Sequence, residues 1–304
     1  MRSLRKWLLR TPQVGWPVFG LVNFLSVYAA AVITFQILDG TFTQVCKVLV
    51  LAAIVVILFM TIVFAISRLL KRTDLVDVAW GLAITVVAIA SFVIGEQTIG
   101  WNVQTLIVGL IAIWGVRLSY TISLRFRRTE EDKRYIELRK KWRGNEALNT
   151  YGRIFIVQAV FATIIGLGSL TVNALEVTPI GVIALIGIIV WLIGFVFESL
   201  GDWQLKQFLA DKSNKGKLMT KGLWQYTRHP NYFGEATQWW GIFIIALSLP
   251  QGWLAIISPV LITYLLLFVS GVPMTERVFE GRKGWKAYQK HTSKFLPLPP
   301  RTHL

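Results

Sequence analysis

The stretch VLVLAAIVVILFMTIVFAISRLL, residues 48–70, decides the fold class. It is apolar almost throughout and has no charged side chain before Arg68. About 20 apolar residues in a helix cross roughly 30 Å of hydrocarbon, so this stretch is long enough to span a bilayer once. Lipid offers no hydrogen-bond partners to the backbone, and a helix satisfies its own. The stretch therefore predicts a transmembrane helix.

Seven further stretches have the same apolar character, and they are separated by residues that end helices, such as Asp39-Gly40 and Thr178-Pro179. The chain therefore predicts an all-α polytopic membrane helix bundle with about eight transmembrane helices. We interpret residues 1–304 as a single membrane domain. The predicted spans are 16–38, 48–70, 75–95, 102–124, 153–175, 179–205, 231–249 and 252–273.

The distribution of basic residues predicts the orientation of these spans. The net charge is +16, although only 16% of residues are charged and 54% are hydrophobic. When the N-terminus is placed in the cytoplasm, 30 of the 32 Lys and Arg residues fall in cytoplasmic segments. Short cytoplasmic loops of membrane proteins carry an excess of Lys and Arg. We therefore expect cytoplasmic termini and a multi-pass protein in contact with membrane lipids.

Other function classes lack their sequence signals. The basic residues lie in loops between apolar runs, which argues against a nucleic-acid partner. The three histidines have no metal-ligand spacing, so we expect no metal. Neither a dinucleotide or phosphate-binding glycine loop nor a nucleophile elbow is present.

Several charged residues fall at or near membrane depth, where each costs roughly 2.5–3.5 kcal/mol if it faces lipid. They must therefore face inward, and interhelical ion pairs such as Asp77 with Arg117 are one explanation. Glu198, Asp202 and Lys206 are four residues apart and share one helix face. The full set at membrane depth is Asp77, Arg117, Glu198, Asp202 and Glu235.

The most distinctive stretch is TRHPNYFGEATQWWG, residues 227–241. Pro230 suits the first turn of a helix, where its missing N–H is not needed. The free N–H groups of a helix start attract anions, and Arg228 lies beside them in the sequence. This start is therefore a candidate phosphate site, although His229 is equally explained as a capping residue. Asn231, Tyr232 and Glu235 are predicted to line the inward side.

Five segments together resemble the bacterial branch of the steroid 5α-reductase-like membrane family. The related sterol reductases and isoprenylcysteine carboxyl methyltransferases share a similar C-terminal half with an R-H-P-x-Y-x-G core. The resemblance runs from about residue 74 to the end and is most specific over 197–241. The segments are VDVAWG (76–81), EDKRY (131–135), FESLGDWQLKQF (197–208), GLWQYTRHPNYFGEATQWWG (222–241) and SGVPMTE (270–276), followed by Tyr288 and FLPLPP.

The resemblance implies a protein of the bacterial inner membrane that transfers hydride from NADPH to the enone C=C bond of a steroid-like or isoprenoid lipid. It assigns the lipid substrate to residues 74–175 and the cofactor to residues 179–304. The two N-terminal helices, within 1–70, are outside it, and we expect them to pack against lipid or a partner. The implied cofactor-binding residues are Arg134, Tyr135, Glu198, Asp202, Lys206, Arg228, His229, Asn231, Tyr232, Glu235 and Glu276.

For catalysis, the resemblance implies a carboxylic acid and a tyrosine that polarise the substrate carbonyl. Asp77 and Tyr120, on the third and fourth predicted spans, are the candidates for this pair. Hydrogen-bond donors aimed at the developing oxyanion lower the barrier. Two other functions stay open: an S-adenosylmethionine-dependent methyltransferase acting on a lipid or isoprenylcysteine-type substrate, and a non-enzymatic transporter with a proton relay.

Overall fold

The structure, a computed structural model, describes residues 42–301 and is helical throughout its regular parts, with no strand in that range. Six of its helices are long and apolar enough to cross a membrane. The predicted polytopic helix bundle is thereby confirmed. The helices are α1 (Phe42–Leu70), α2 (Leu75–Ile94), α3 (Val103–Phe126), α4 (Lys133–Lys140), α5 (Glu146–Ile165), α6 (Leu167–Asn173), α7 (Val182–Ala210), α8 (Pro230–Ala246), α9 (Gly252–Phe279) and α10 (Trp285–His291).

The described helices follow the predicted spans with three differences, one of which is the break at Gly166 that divides the predicted span 153–175 between α5 and α6. Helix α8, with 17 residues, is shorter than the six that meet the length for crossing a membrane, although it corresponds to the predicted span 231–249. Helices α5 and α9 are not uniform, since α5 contains a π-helical stretch at Tyr151–Ile156 and α9 contains one at Leu265–Val269. The predicted span 16–38 lies outside the described residues.

The chain divides into two compact units, whose boundaries fall within helices. The larger unit comprises Gln44–Phe195 and Thr237–Leu261. The smaller unit comprises Val196–Ala236 and, of the described residues, 262–301.

The core of the larger unit depends on a close approach of α2 and α3. A Cβ added to Gly81 would lie 2.5 Å from the carbonyl oxygen of Gly115, so only two glycines permit this spacing. Trp114 is 1% exposed and packs edge-on against Trp239, with ring centroids 5.2 Å apart. Asp77 therefore projects from a helix whose position is set by tight backbone contact.

In the smaller unit, the C-terminal residues are hydrogen-bonded to the segment that precedes α8. The hydroxyl of Thr227 donates to the Phe295 carbonyl at 2.8 Å, and the hydroxyl of Tyr288 donates to the Trp224 carbonyl at 2.5 Å. The Trp224 indole in turn donates to the carbonyl of Gly201 on α7 at 3.1 Å. The start of α8 is therefore held from both sides.

Candidate functional site

In the larger unit, the carboxylate of Asp77 is bound by the loop helix α4. The hydroxyl of Tyr135 donates to Asp77 Oδ1 at 2.5 Å, and Arg134 Nη2 donates to Asp77 Oδ2 at 3.2 Å. Arg134 also pairs with Asp132 at 2.9 Å. The tyrosine that is hydrogen-bonded to Asp77 is thus Tyr135, which lies in the segment between α3 and α5.

Helix α4 begins next to Asp77 because Asp132 caps it. The Asp132 carboxylate accepts from the backbone N–H of Arg134 at 2.9 Å, and such a cap satisfies a donor that the first turn would leave unpaired. The backbone N–H of Asp132 itself donates to Asp74 Oδ2 at 3.1 Å. Asp74 ends the turn that leads into α2, so the two helix starts are joined directly.

Arg72 connects the turn before α2 to the loop after α3. Its guanidinium pairs with Asp74 at 2.7 Å and lies 3.8 Å from the centroid of the Phe126 ring. It also donates to the carbonyls of Phe126, Thr129 and Glu130, at 2.8, 2.7 and 3.2 Å. An arginine fork suits several acceptors at once, so Arg72 holds the loop in one conformation.

A second connection joins the same two segments. Arg139 of α4 pairs with Glu131 at 2.6 Å, and Glu131 accepts the backbone N–H of Thr73 at 2.7 Å. Burial raises the pKa of Glu131, but the hydrogen bonds from Arg139 and Thr73 outweigh it, so its pKa lies below the ordinary value. Glu131 is therefore ionised at neutral pH, and it binds both Arg139 and the backbone of Thr73.

Tyr135 is kept as a neutral hydroxyl. Burial raises its pKa, and the nearby negative charge of Asp77 raises it further. A phenol with a raised pKa retains its proton at neutral pH and is available as a hydrogen-bond donor.

A cavity of about 570 Å³ opens beside this cluster. Its lining combines the charged groups around Asp77 with apolar residues from α3 and α4. A volume of this size suits the polar end of a lipid or another small molecule. The lining residues are Asp74, Asp77, Ile122, Arg125, Phe126, Thr129, Glu130, Glu131, Asp132, Lys133 and Ile136.

Tyr120, the tyrosine predicted to act with Asp77, is 63% exposed on α3. Among the described residues, no hydrogen bond joins it to Asp77. Arg117, one turn earlier, lies with its guanidinium carbon 5.8 Å from the centroid of the Phe195 ring. The cationic partner of Asp77 is Arg134, so the ion pair suggested between Asp77 and Arg117 is replaced by one with the loop.

In the smaller unit, α7 and α8 meet at Asp202 and Asn231. Asn231 Nδ2 donates to Asp202 Oδ1 at 3.2 Å. The contact is possible because Gly201 has no side chain, and a Cβ there would lie 3.1 Å from the Pro230 ring. Asn231 Oδ1 is buried and has no hydrogen-bond partner among the described residues. Buried polar atoms are normally satisfied, so this acceptor distinguishes Asn231 as a candidate for binding a donor.

Beside this contact, Arg228, His229 and Glu276 form a buried cluster. Arg228 pairs with Glu276 at 2.8 Å and donates to the carbonyls of Gln289 and Thr292 at 3.1 and 2.8 Å. Arg228 is 8% exposed, and its guanidinium is directed into the protein. It therefore positions the start of α8 and does not present its charge to a phosphate at the surface.

His229 has the capping position that the sequence suggested. Its carbonyl accepts from the backbone N–H of Phe233 at 3.0 Å, and its ring is 3.2 Å from Glu276. Burial lowers its pKa, although the hydrogen bond with Glu276 opposes that shift. The ring stacks on Tyr232 with centroids 5.4 Å apart, and the Tyr232 hydroxyl hydrogen-bonds to Thr275 at 2.9 Å.

The remaining predicted residues differ in burial. Glu198 and Glu235 are 2% and 8% exposed, as expected for acids that face inward. Lys206, one turn beyond Asp202, is exposed. The structure therefore brings together most of the predicted cofactor residues of the smaller unit, whereas Arg134 and Tyr135 belong to the cluster around Asp77.

Sequence reasoning missed the residues that build the surroundings of both clusters. Arg72, Asp132 and Arg139 orient the loop at Asp77, and Thr275 orients Tyr232. The charges between residues 125 and 146 appeared only as a basic loop. The alternation of acids and arginines in EEDKRYIELR, residues 130–139, was the signal for an internal ion-pair network.

The fold and the two polar clusters define a multi-pass helical membrane protein with charged groups held at helix starts. The chain belongs to the family described as Protein of unknown function (DUF1295), whose model matches residues 63–292. No curated protein and no solved structure matches the chain. Since the family match carries no activity, the likeness to steroid 5α-reductases and the hydride transfer that it implies stay predictions.

Proposed function

We propose that this protein is an NADPH-dependent membrane oxidoreductase that reduces the enone C=C bond of a steroid-like or isoprenoid lipid. The observation that carries the proposal is the contact of Asp202 with Asn231, which leaves the buried Asn231 Oδ1 as an acceptor without a partner in the described chain. A buried acceptor without a partner supports this proposal because a ligand that donates a hydrogen bond would satisfy it.

NADPH suits these residues. Its amide, amine and ribose hydroxyl groups offer the donors that Asn231 Oδ1 and the Asp202 carboxylate accept. Lys206, Lys217 and Lys221 are exposed, and such side chains attract phosphate groups by charge. Tyr232 and His229 add an aromatic stack at the start of α8.

When bound, NADPH supplies hydride to the β-carbon of the enone. The protein must then stabilise the negative charge that develops on the carbonyl oxygen, and donors aimed at that oxygen contribute most. In the larger unit, the acid and tyrosine of the cluster around Asp77 have this chemistry. The cavity of about 570 Å³ beside them provides room for the carbonyl end of a lipid.

A methyltransferase remains the competing enzyme. S-adenosylmethionine carries no phosphate, so the exposed lysines would have no role in binding it. Glu276 is bonded to Arg228 and His229, and the next residue is Arg277 and not a second acid. A proton-coupled transporter would instead use the buried acids Glu198 and Glu235 as a relay.

Isothermal titration of the detergent-purified protein with NADPH and with S-adenosylmethionine separates these functions. We expect NADPH to bind and S-adenosylmethionine not to bind. We also expect Asn231→Ala and Glu235→Ala each to weaken NADPH binding at least tenfold. Gln207→Ala, at an exposed position on the same helix as Asp202, is the matched control. Binding of S-adenosylmethionine alone would support the methyltransferase. Binding of neither cofactor, with proton flux in proteoliposomes, would support the transporter.

A further inference from the structure

We infer that Lys141, Arg143 and Arg153, which lie around Trp142 and are called the basic patch below, bind the anionic headgroup of a membrane phospholipid. The basic patch lies in the larger unit, between the end of α4 and the second turn of α5. It shares no residue with the proposed cofactor site or with the cluster around Asp77. A lipid bound there is therefore a further ligand of the protein, whether or not the protein is a reductase.

The depth of the basic patch follows from α5. This helix is one of the six that are long and apolar enough to cross a membrane. Val157 and Val160 are 42% and 48% exposed, and apolar side chains exposed on such a helix contact lipid chains. Arg153 is exposed one turn before Val157, at the first residue of the predicted span 153–175. It therefore lies at the level of the lipid headgroups, which a long arginine side chain can reach.

Trp142 supports the same depth. The guanidinium carbon of Arg153 lies 5.8 Å from the centroid of the Trp142 ring. A cation at this distance is attracted to the face of an indole, and tryptophan is enriched where a membrane meets water. The contact holds Arg153 beside the segment that carries Lys141 and Arg143.

The turn between α4 and α5 is fixed by its own hydrogen bonds. Gly144 has a φ of 86°, in the left-handed region that favours glycine, and it lets the chain reverse direction. The side-chain amide of Asn149 donates to the Arg143 carbonyl at 3.1 Å. Asn145 caps α5 by accepting from the backbone N–H of Ala147 at 2.9 Å. The backbone of the basic patch is thus ordered before a ligand binds, which lowers the entropic cost of binding.

The acids near the basic patch are already paired with other cations. Glu137 pairs with Lys140 at 3.2 Å, and Glu146 pairs with Arg68 at 3.1 Å. The three cations of the basic patch are exposed and have no ion pair in the part of the chain that the structure describes. Their charge is therefore available to an external anion. Each cation close to an anionic membrane surface strengthens binding about fivefold.

Exposed leucines on both sides of the basic patch favour a lipid over a free anion. Leu138 is 40% exposed on α4, and Leu148 is 69% exposed in the first turn of α5. Cations next to large exposed apolar side chains are typical of membrane-surface segments, because the apolar side chains enter the acyl region while the cations meet the headgroups. A site for phosphate dissolved in water would gain nothing from these leucines.

The first experiment compares lipids that have the same acyl chains. Native mass spectrometry of the full chain in detergent gives the Kd of the first bound dioleoyl phosphatidylglycerol, which is anionic, and of dioleoyl phosphatidylcholine, which is zwitterionic. We expect phosphatidylglycerol to bind at least about tenfold more tightly. Glycerophosphoglycerol, the same headgroup without acyl chains, should not bind at the concentration at which the lipid saturates. Equal Kd values for the two lipids, or equally tight binding of the free headgroup, would overturn the inference.

The second experiment removes charge from the basic patch and leaves the contact of Arg153 with Trp142 in place. Lys141→Gln combined with Arg143→Gln should weaken the binding of phosphatidylglycerol at least about tenfold and change that of phosphatidylcholine less than about twofold. Lys286→Gln combined with Lys290→Gln removes two exposed charges of α10 and is the matched control, which should keep the wild-type Kd. An equal loss in both double variants would mean that net charge alone attracts the lipid, and the basic patch would not be a site.

The third experiment measures depth with all three cations retained, so it decides the case if the double variant does not fold. Cys46, the only cysteine, is replaced by serine, and a nitroxide is attached at Leu148→Cys or at Glu137→Cys in lipid nanodiscs. The label at position 148 should be relaxed more by oxygen, which concentrates among acyl chains, than by a water-soluble nickel complex. The label at position 137, an exposed charged position of α4, should show the reverse. A label at position 148 that is relaxed mainly by the nickel complex would place the basic patch in water and contradict the inference. None of these measurements uses NADPH or an enone, so their outcome is separate from that of the proposed reductase.

Discussion

Arg228 and Glu276 lie 2.8 Å apart, and together they tie the start of α8 to α9 and to the C-terminal residues. The arginine belongs to the R-H-P stretch that the sequence singled out as a phosphate site. In the structure its guanidinium is satisfied by one carboxylate and two carbonyls. If the proposed cofactor binds here, Arg228 contributes through the positions of Asn231 and Tyr232 and not through direct contact.

Replacing Arg228 with methionine should destabilise the protein strongly. Glu276 would lose its cation, and the carbonyls of Gln289 and Thr292 would lose their donor. Removing one member of a buried ion pair costs about 3–5 kcal/mol. We expect the thermal midpoint in detergent to fall by several degrees. Arg277→Met, at the exposed neighbour of Glu276, should leave the midpoint unchanged; an equal loss in both variants would contradict this account.

The positions of the helices could be predicted from the sequence because an apolar segment in lipid must satisfy its own backbone hydrogen bonds, which a helix does. Helix α2 was predicted at 75–95 and is observed at Leu75–Ile94, and α3 was predicted at 102–124 and is observed at Val103–Phe126. The interruption at Gly166 and the π-helical stretches were missed. An apolar segment has the same composition whether its backbone hydrogen bonds follow the α-helical or the π-helical pattern, so composition cannot distinguish the two.

The sequence predicted more of the polar cluster at Asp202 and Asn231 than of the cluster around Asp77. Helix periodicity placed Asp202 on one face with Glu198, and Asn231 on one face with Glu235, so the polar faces of α7 and α8 were predictable. The hydrogen bond between Asp202 and Asn231 was not. Tyr135 lies on a short helix whose placement depends on Arg72 binding carbonyls of residues more than 50 positions away. Local patterns carry no information on such contacts, so the hydrogen bond of Tyr135 to Asp77 could not be predicted from the sequence.

Arg72→Lys should loosen the loop between α3 and α4 while keeping the charge. A lysine has a single nitrogen and cannot reach three carbonyls and a carboxylate together. We expect hydrogen–deuterium exchange of the amides from Asp132 to Tyr135 to become at least tenfold faster. Lys71→Gln, at the exposed neighbouring position, should exchange like the wild type. Unchanged exchange in Arg72→Lys would show that Glu131 and Arg139 suffice to hold the loop.

Acid should weaken the smaller unit through His229. Burial lowers its pKa below 6.5, so the folded state holds fewer protons than the unfolded state as the pH falls below that value. The contribution of neutral His229 to the free energy of unfolding is therefore fully present above pH 6.5 and is lost as the pH falls through the folded-state pKa. Thermal midpoints at pH 7.5, 6.5 and 5.5 measure this loss.

His229→Gln should show a smaller decrease in midpoint between pH 7.5 and 5.5 than the wild type, because the glutamine does not titrate. His291→Gln is the matched control and should retain the wild-type dependence. Parallel pH curves for the wild type and His229→Gln would show that another group is responsible.

The two glycines of α3 should respond in opposite directions to the same substitution. A Cβ at Gly115 would lie 2.2 Å from the Thr85 hydroxyl and 2.4 Å from the Gly81 carbonyl oxygen, and the backbone contact cannot be relieved by a side-chain rotation. Gly115→Ala should therefore separate α2 from α3 and cost about 1–3 kcal/mol. A Cβ at Gly109 would meet nothing within 4 Å, and alanine is favoured over glycine in a helix interior by about 1 kcal/mol. Thermal midpoints of the two variants should thus lie on opposite sides of the wild type. A Gly115→Ala protein as stable as the wild type would contradict this account of the close contact between α2 and α3.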